Sequence, residues 1–156
     1  MPKQDAQSSM IARNRRARFN FSLEKTFQAG LVLEGWELKS IRAGKVQLVD
    51  TYVIVRENEA YLLGARINPL PSTSTHNVPQ PDRTRKLLLN RRELREIAAA
   101  LQIKGKSCVA TSMYWREQYV KCEIAIATGK RAYDKRKTIQ EREWNRQKER
   151  LRKQSI

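Results

Sequence analysis

Three clusters of basic residues are the part of this sequence best suited to binding a partner. They occupy 14–18, 39–45 and 83–86. Lysine and arginine side chains bind phosphate groups, and aromatic rings stack on unpaired bases. The aromatic residues near the clusters are Phe19, Phe21, Tyr52 and Tyr61. Each cluster alone is as consistent with a solvated surface as with a binding site, but together they favour RNA binding.

Residues that could support catalysis or hold a metal ion form no recognisable pattern. The chain has no glycine-rich phosphate loop and no His-Glu-x-x-His or Gly-x-Ser-x-Gly motif. Its acidic residues are scattered, whereas a metal-dependent nuclease needs them clustered. His76 is the only histidine, and one histidine with two cysteines does not supply the four ligands of a structural zinc site. We therefore expect no catalytic residue, no metal and no cofactor.

Most of the net charge of +16 lies at the two ends of the chain. The C-terminal tail, 129–156, holds eleven basic and four acidic residues. Its acidic residues mostly precede basic ones by three or four positions, which favours a helix, but it has too few apolar residues to pack one. We expect this tail to be disordered when free and helical on a partner. Tyr133 and Trp144 would then be available to stack on bases.

Alternating apolar and polar residues predict the strands that would position the basic clusters. The expected strands are 17–23, 31–38, 51–56, 60–63, 109–115 and 120–126. The segment 57–59 predicts a hairpin between the third and fourth of these strands, and the last two strands form a second hairpin. Cys108 and Cys122 would face opposite sides of it, as reduced thiols packed among strand residues.

One helix is predicted clearly and the other helical segments are short. Asn90 and Glu93 form a capping box, and the apolar face that follows is Leu94, Ile97, Ala98 and Leu101. We expect one or two helical turns at 24–29 and a turn or short helix at 39–44. The proline-containing segment 69–82 is predicted to be a loop, and residues 1 to about 12 to be disordered.

Short strands with one solid helix predict a mainly β protein with short helices, built as a small antiparallel barrel. We expect three parts: a basic, largely disordered arm at 1–17, the barrel at 18–128, and the tail at 129–156. No apolar run is long enough to span a membrane, and the first residues do not form a secretory signal. The tail is too poor in apolar residues to bind a membrane surface. We expect a cytoplasmic protein.

Longer strings of this sequence resemble SmpB, the bacterial SsrA-binding protein family. The strings are 29–45, 74–76, 83–94, 129–136 and 141–144. The resemblance implies an OB-like barrel that binds the tRNA-like domain of transfer-messenger RNA (tmRNA, or SsrA RNA). It also implies delivery of alanyl-tmRNA, with a translation elongation factor, to stalled ribosomes for trans-translation. The tail would enter the empty mRNA channel and become helical against small-subunit rRNA.

The resemblance also assigns residues to the two RNA contacts. The positions matched to tmRNA binding are Asn14, Arg16, Phe21, Gln28, Lys39, Arg42, Lys45, His76, Arg83, Arg85, Lys86 and Leu88. The positions matched to the ribosome-binding tail are Lys130, Arg131, Tyr133, Asp134, Lys135, Arg136 and Trp144. The alternatives from the residues alone are a structural or accessory ribosomal protein and, less favoured, an RNA-processing enzyme.

Overall fold

The structure is a computed structural model that describes residues 9–71, 79–130 and 132–154. The strands in this part of the chain are β1 (Met10–Arg13), β2 (Phe21–Leu31), β3 (Val46–Gln47), β4 (Tyr52–Arg56), β5 (Glu59–Leu63), β6 (Arg66–Ile67), β7 (Arg85–Leu88), β8 (Lys106–Arg116) and β9 (Tyr119–Gly129). The helices are α1 (Arg15–Asn20), α2 (Gly35–Arg42), α3 (Arg91–Leu101) and α4 (Ala132–Gln154).

Seven of the strands form one antiparallel sheet, in the order β1-β8-β9-β2-β7-β5-β4, and β3 pairs with β6. The sheet curls so that β4, at one edge, contacts β8, next to the other edge. The predicted fold class, a mainly β protein with an antiparallel OB-like barrel and short helices, is confirmed. Among the described helices, none has the length and apolarity needed to span a bilayer.

The core fills the inside of the curled sheet, and α3 packs on it. Ile124, Met113 and Leu62 are fully buried, and Ile97 of α3 is buried with them. The predicted capping box is present: Glu93 N donates to Asn90 Oδ1 at 2.9 Å, and Asn90 N donates to Glu93 Oε1 at 3.2 Å. This satisfies two backbone donors that the first turn of a helix leaves unpaired.

Both predicted hairpins are confirmed. β4 and β5 are joined by Glu57 and Asn58, whose φ angles of 52° and 62° are those of a tight hairpin turn. β8 and β9 are joined by Glu117 and Gln118, and Glu117 also has a positive φ, 57°. The turns are local and the strand residues next to them alternate regularly, which explains why the pattern predicted these hairpins.

The predictions for residues 9–38 are largely wrong, and residues 1–8 lie outside the described part of the chain. Residues 15–20 form α1, and the predicted strand at 17–23 survives only from Phe21 onward. The helical turns expected at 24–29 are strand, because β2 pairs with β9 along nearly its whole length. A bulge between Leu23 and Lys25 shifts the alternation of β2 and obscured it in the sequence. Met10–Arg13, expected to be disordered, pair with β8.

The predicted second strand at 31–38 is also wrong, because the chain turns into α2 at Gly35. Glu34 is its N-cap, and Glu34 N donates to Glu37 Oε1 at 2.8 Å. This is the same device that begins α3, with a carboxylate in place of the asparagine. The short helix expected at 39–44 is the second half of α2, and Gly44, with φ of 74°, follows its end.

Cys108 and Cys122 lie on the same face of the β8–β9 hairpin, contrary to the prediction. Cys108 pairs with Ile126 and Met113 pairs with Cys122, because a bulge between Ala110 and Ser112 shifts the register by one residue. Both thiols are free and fully buried in one core. Burial raises the pKa of each thiol to about 12.

Candidate RNA-binding surface

Arg85, which the resemblance places on the tmRNA-facing surface, is buried in the interior. Its Nε donates to Glu37 Oε2 at 2.5 Å, and both side chains are fully inaccessible to solvent. Its Nη atoms donate to the carbonyl oxygens of Ala65, Arg83 and Pro81 at 2.7, 2.8 and 3.0 Å. Burial lowers the pKa of the Arg85 guanidinium, and the Glu37 carboxylate opposes that shift. Arg85 therefore has no surface from which to bind a phosphate.

Arg83 lies at the edge of the same ion-pair cluster. Its Nη2 donates to Glu37 Oε1 at 2.5 Å and to Val32 O at 3.4 Å, and its side chain is 26% exposed. Glu34 is 3.6 Å from its Nε. Glu37 thus joins α2 to β7 and to the segment before β7, and Arg83 retains one partly exposed side.

Three of the matched residues do form an exposed basic face on and after α2. Lys39 and Arg42 are three residues apart on the helix, and Lys45 follows the Gly44 turn. None of the three has an ion-pair partner in the part of the chain that the structure describes. The Arg42 guanidinium lies 6.0 Å from the centre of the Trp115 ring. This face can bind phosphates without breaking an existing ion pair.

β7 presents Lys86 and Leu88 outward, in alternation with the buried Arg85 and Leu87. Lys86 Nζ contacts Glu59 Oε1 at 2.9 Å, which raises the pKa of Lys86 and lowers the pKa of Glu59. Leu88 is 52% exposed and lies opposite Gly30 of β2. A side chain at Gly30 would meet Leu88 at 3.2 Å, so the glycine leaves Leu88 room to project.

Asn14 has a structural role in this fold. Its side chain is buried, with Oδ1 accepting from Ala17 N at 3.3 Å and Nδ2 donating to Ala110 O at 2.9 Å. Its backbone N donates to Thr111 O at 2.8 Å. Ala110 and Thr111 lie at the bulge in β8, where the register shift disrupts the strand ladder. Asn14 therefore caps α1 and ties it to β8, and it does not present its side chain to solvent.

The other matched residues at this end differ in exposure. Arg16 is exposed on α1. Phe21 is half-buried and packs with Ala17 in a small second core. Lys130 is held at the start of the tail, since its Nζ donates to Arg18 O at 3.0 Å.

Gln28 is exposed on β2 and belongs to a line of polar side chains across three strands. Tyr114 donates its hydroxyl hydrogen to Gln28 Oε1. Gln28 Nε2 donates to Glu123 Oε1 at 3.2 Å, and Thr111 Oγ1 donates to Glu123 Oε2 at 2.5 Å. Sequence reasoning missed Glu123, although the alternation of β9 places it on the outer face of the strand, between the inward-facing Cys122 and Ile124.

The tail is a long helix, α4, whose side chains from Ile139 to Lys153 are exposed. Trp144 is 58% exposed, with Lys148 Nζ 5.3 Å from its ring centre. A contact with the barrel end joins Arg142 to Phe19 of α1, at 5.9 Å from guanidinium to ring centre.

Asp134 to Arg136 and Tyr133 lie in the first turns of α4. His76 and Arg131 lie outside the described residues. In the described ranges, no three His, Cys, Asp or Glu side chains are grouped to hold a metal ion.

Fold and surface together define an OB-like barrel with exposed basic faces and a basic helical tail, the features of an RNA-binding protein. The family model described as SmpB protein matches residues 11–154. The chain therefore belongs to the SmpB family.

Similar proteins from other bacteria agree with this assignment. The SsrA-binding protein of Marinomonas sp. (strain MWYL1) is 52% identical over 151 residues, covering 97% of this chain and 95% of the relative. That of Saccharophagus degradans is 56% identical over 149 residues, covering 96% and 94%. A solved structure named "tmRNA-SmpB: a journey to the center of the bacterial ribosome" matches with a TM-score of 0.65 and 38% identity, covering 78% of this chain and 85% of that one.

Proposed function

We propose that this protein binds tmRNA and acts with it in trans-translation, the rescue and peptide tagging of stalled ribosomes. The observation that carries the proposal is membership of the SmpB family along 11–154, with relatives named SsrA-binding proteins. The exposed face of Lys39, Arg42 and Lys45 supplies the positive charge that such an RNA requires.

In this proposal the barrel holds the tRNA-like domain of tmRNA. Lys39, Arg42, Lys45 and Lys86 are exposed or half-exposed, and each releases counterions when it approaches a phosphate. Arg85 and Asn14 act indirectly, by holding β7 and α1 in place. A translation elongation factor would carry the alanyl-tmRNA complex to the ribosome, so the protein would act in the cytoplasm.

The tail would bind in the mRNA channel of the ribosome only when the channel contains no mRNA. As a helix, its 23 residues extend about 35 Å. Among the described residues, α4 contacts the barrel end at α1. Folding against rRNA would give the tail a function that depends on channel occupancy. No catalytic step is assigned to the protein.

Binding of the full chain to a tmRNA transcript, measured over a range of salt concentrations, tests the barrel's role. Replacing Lys39, Arg42 and Lys45 together by alanine should weaken binding and flatten the log–log salt dependence by about two to three units. The matched control replaces Arg92, Arg95 and Lys104, three exposed basic residues on and after α3. Equal losses in the two triple variants would contradict a specific face and leave only non-specific attraction.

A further inference from the structure

A cleft of about 380 Å³ lies between β1, α1 and the bulged part of β8. Its lining includes Arg13, Arg15 and Arg18 from β1 and α1, and Thr111 and Glu123 from β8 and β9. This volume is in the range of clefts that bind small ligands, so one nucleotide of an RNA chain can enter it.

The three arginines carry charges that the protein leaves uncompensated. Their guanidinium groups have no ion pair or hydrogen bond with any residue that the structure describes. The Asn14 contacts with Ala110 and Thr111 fix α1 against β8 and so hold this side of the cleft in position. Guanidinium groups of this kind bind phosphate oxygens through paired hydrogen bonds.

Glu123 lines the same cleft and forms no ion pair with the three arginines. Its two carboxylate oxygens accept from Gln28 and Thr111, which fixes the orientation of the group. A carboxylate offers about four acceptor positions, so further donors can still bind to it. A cleft for phosphate alone would not contain a carboxylate, because the carboxylate repels the ligand. The opposed charges instead fit a ligand that is anionic at one end and a hydrogen-bond donor at the other.

We propose that this cleft binds an unpaired guanine nucleotide of the RNA, an inference that rests on the proposed function. Glu123 accepts from the N1–H and N2–H groups of the base, and the three arginines bind the flanking phosphates. Guanine is selected because its Watson–Crick edge has two adjacent donors. Adenine and cytosine place a ring acceptor beside their amino group, and uracil places carbonyl oxygens on both sides of N3–H; each repels the carboxylate.

The test compares three short RNA probes with the full-length protein, by fluorescence anisotropy at low salt. The probes are AAGAA, AAIAA, in which inosine lacks the N2 amino group, and AAAAA. We expect AAGAA to bind about tenfold more tightly than AAAAA, with AAIAA between them. This arm uses the unaltered protein and does not depend on how any variant folds.

Variants then assign the preference to Glu123. Glu123→Gln should abolish the preference for AAGAA while leaving AAAAA binding equal or stronger, because a negative charge has been removed. Glu117→Gln, an exposed carboxylate in the β8–β9 turn, should retain the preference. Replacing Arg13, Arg15 and Arg18 by alanine should weaken all three probes alike.

Equal binding of the three probes, or an unchanged preference in Glu123→Gln, would overturn the proposal. If the protein bound the tmRNA transcript but showed no guanine preference, only the cleft proposal would fail. If it preferred guanine but did not bind the transcript, the proposed function would fail.

Discussion

Glu37 and Arg85 form an ion pair at 2.5 Å in which neither side chain has any solvent exposure. The pair lies where α2 meets β7, and Glu37 also binds Arg83 from the neighbouring segment. The short basic sequence 83–86 thus contains one residue in the interior, Arg85, and one that is partly exposed at the surface, Lys86. We therefore expect Arg85 to affect RNA binding only through the fold and Lys86 to affect it directly.

Removing Glu37 should strongly destabilise the fold. In Glu37→Ala, Arg85 becomes a buried charge without its partner, and loss of one member of such a pair costs about 3–5 kcal/mol. Arg85→Ala should also destabilise the fold, because it leaves Glu37 with Arg83 alone and removes the donor to three carbonyl oxygens. Urea unfolding followed by circular dichroism measures both values.

Lys86→Ala is the control for this prediction, since the adjacent side chain is partly exposed. It should change unfolding little and flatten the salt dependence of tmRNA binding by about one unit. A stable Arg85→Ala protein with a flattened salt slope would contradict the assignment of Arg85 to the core.

The division at 83–86 shows how far the sequence could predict this site. Strand alternation places Arg85 and Leu87 inward and Lys86 and Leu88 outward, but only once β7 is known to be a strand. No pattern within four residues reveals that an arginine has a buried carboxylate 48 residues away to pair with. The exposed face of Lys39, Arg42 and Lys45 was predictable because charges on a short helix are usually solvated.

The elements of the fold also differ in whether nearby or distant residues determine their secondary structure. The two hairpins and α3 were predictable, since tight turns and the Asn90–Glu93 capping box are local signals. β2 was not, because its strand state depends on pairing with β9. The bulge at Thr111 was also hidden, and it reversed the predicted relation between Cys108 and Cys122.

Gly64 should tolerate no side chain. Its φ is 82°, and a Cβ there would lie 2.6 Å from the backbone oxygen of Asp50. Gly64→Ala therefore combines a left-handed backbone with a backbone clash, and we expect a loss of more than about 2 kcal/mol. Gly44→Ala is the matched control, because Gly44 has φ of 74° and open space around it. It should cost about 1 kcal/mol. Equal losses in thermal unfolding would show that the clash at Gly64 relaxes.

The buried thiols should be unreactive in the folded protein. The folded pKa of Cys108 and Cys122 is raised to about 12, above the value near 8.5 of an unfolded thiol. Below pH 8.5 both states keep the protons, so the thiols add no pH dependence. Between about pH 8.5 and 12 the unfolded state loses them first, so the free energy of unfolding should fall as pH rises.

A thiol-reactive dye at pH 8 provides the measurement, since thiolate is the reacting form. The native protein should give almost no colour, and the denatured protein should give two thiols per chain. Rapid labelling of the native protein would show that the core around these cysteines opens readily.

The tail should be dispensable for tmRNA binding and essential for tagging. Changing Asp134, Lys135 and Arg136 to alanine should leave tmRNA affinity nearly intact, because they lie outside the barrel, and should abolish peptide tagging. The matched control changes Glu149, Arg150 and Lys153, which removes the same charges from the far end of α4. Tyr133→Ala should reduce peptide tagging if the tyrosine ring stacks on a base. Tyr133→His should reduce tagging only slightly, because both rings are planar.

Single-turnover peptidyl transfer to alanyl-tmRNA, on ribosomes with truncated mRNA, separates these roles. Circular dichroism of the full chain and of a chain ending at Gly129 tests whether the free tail is disordered, as isolated helices of this composition are. A tail that is fully helical in the free protein would contradict folding on binding but leave its role in tagging intact. Full peptidyl transfer by the triple variant at 134–136 would refute the proposed mechanism of the tail, because a protein that reads the empty channel cannot do so without the residues that contact it.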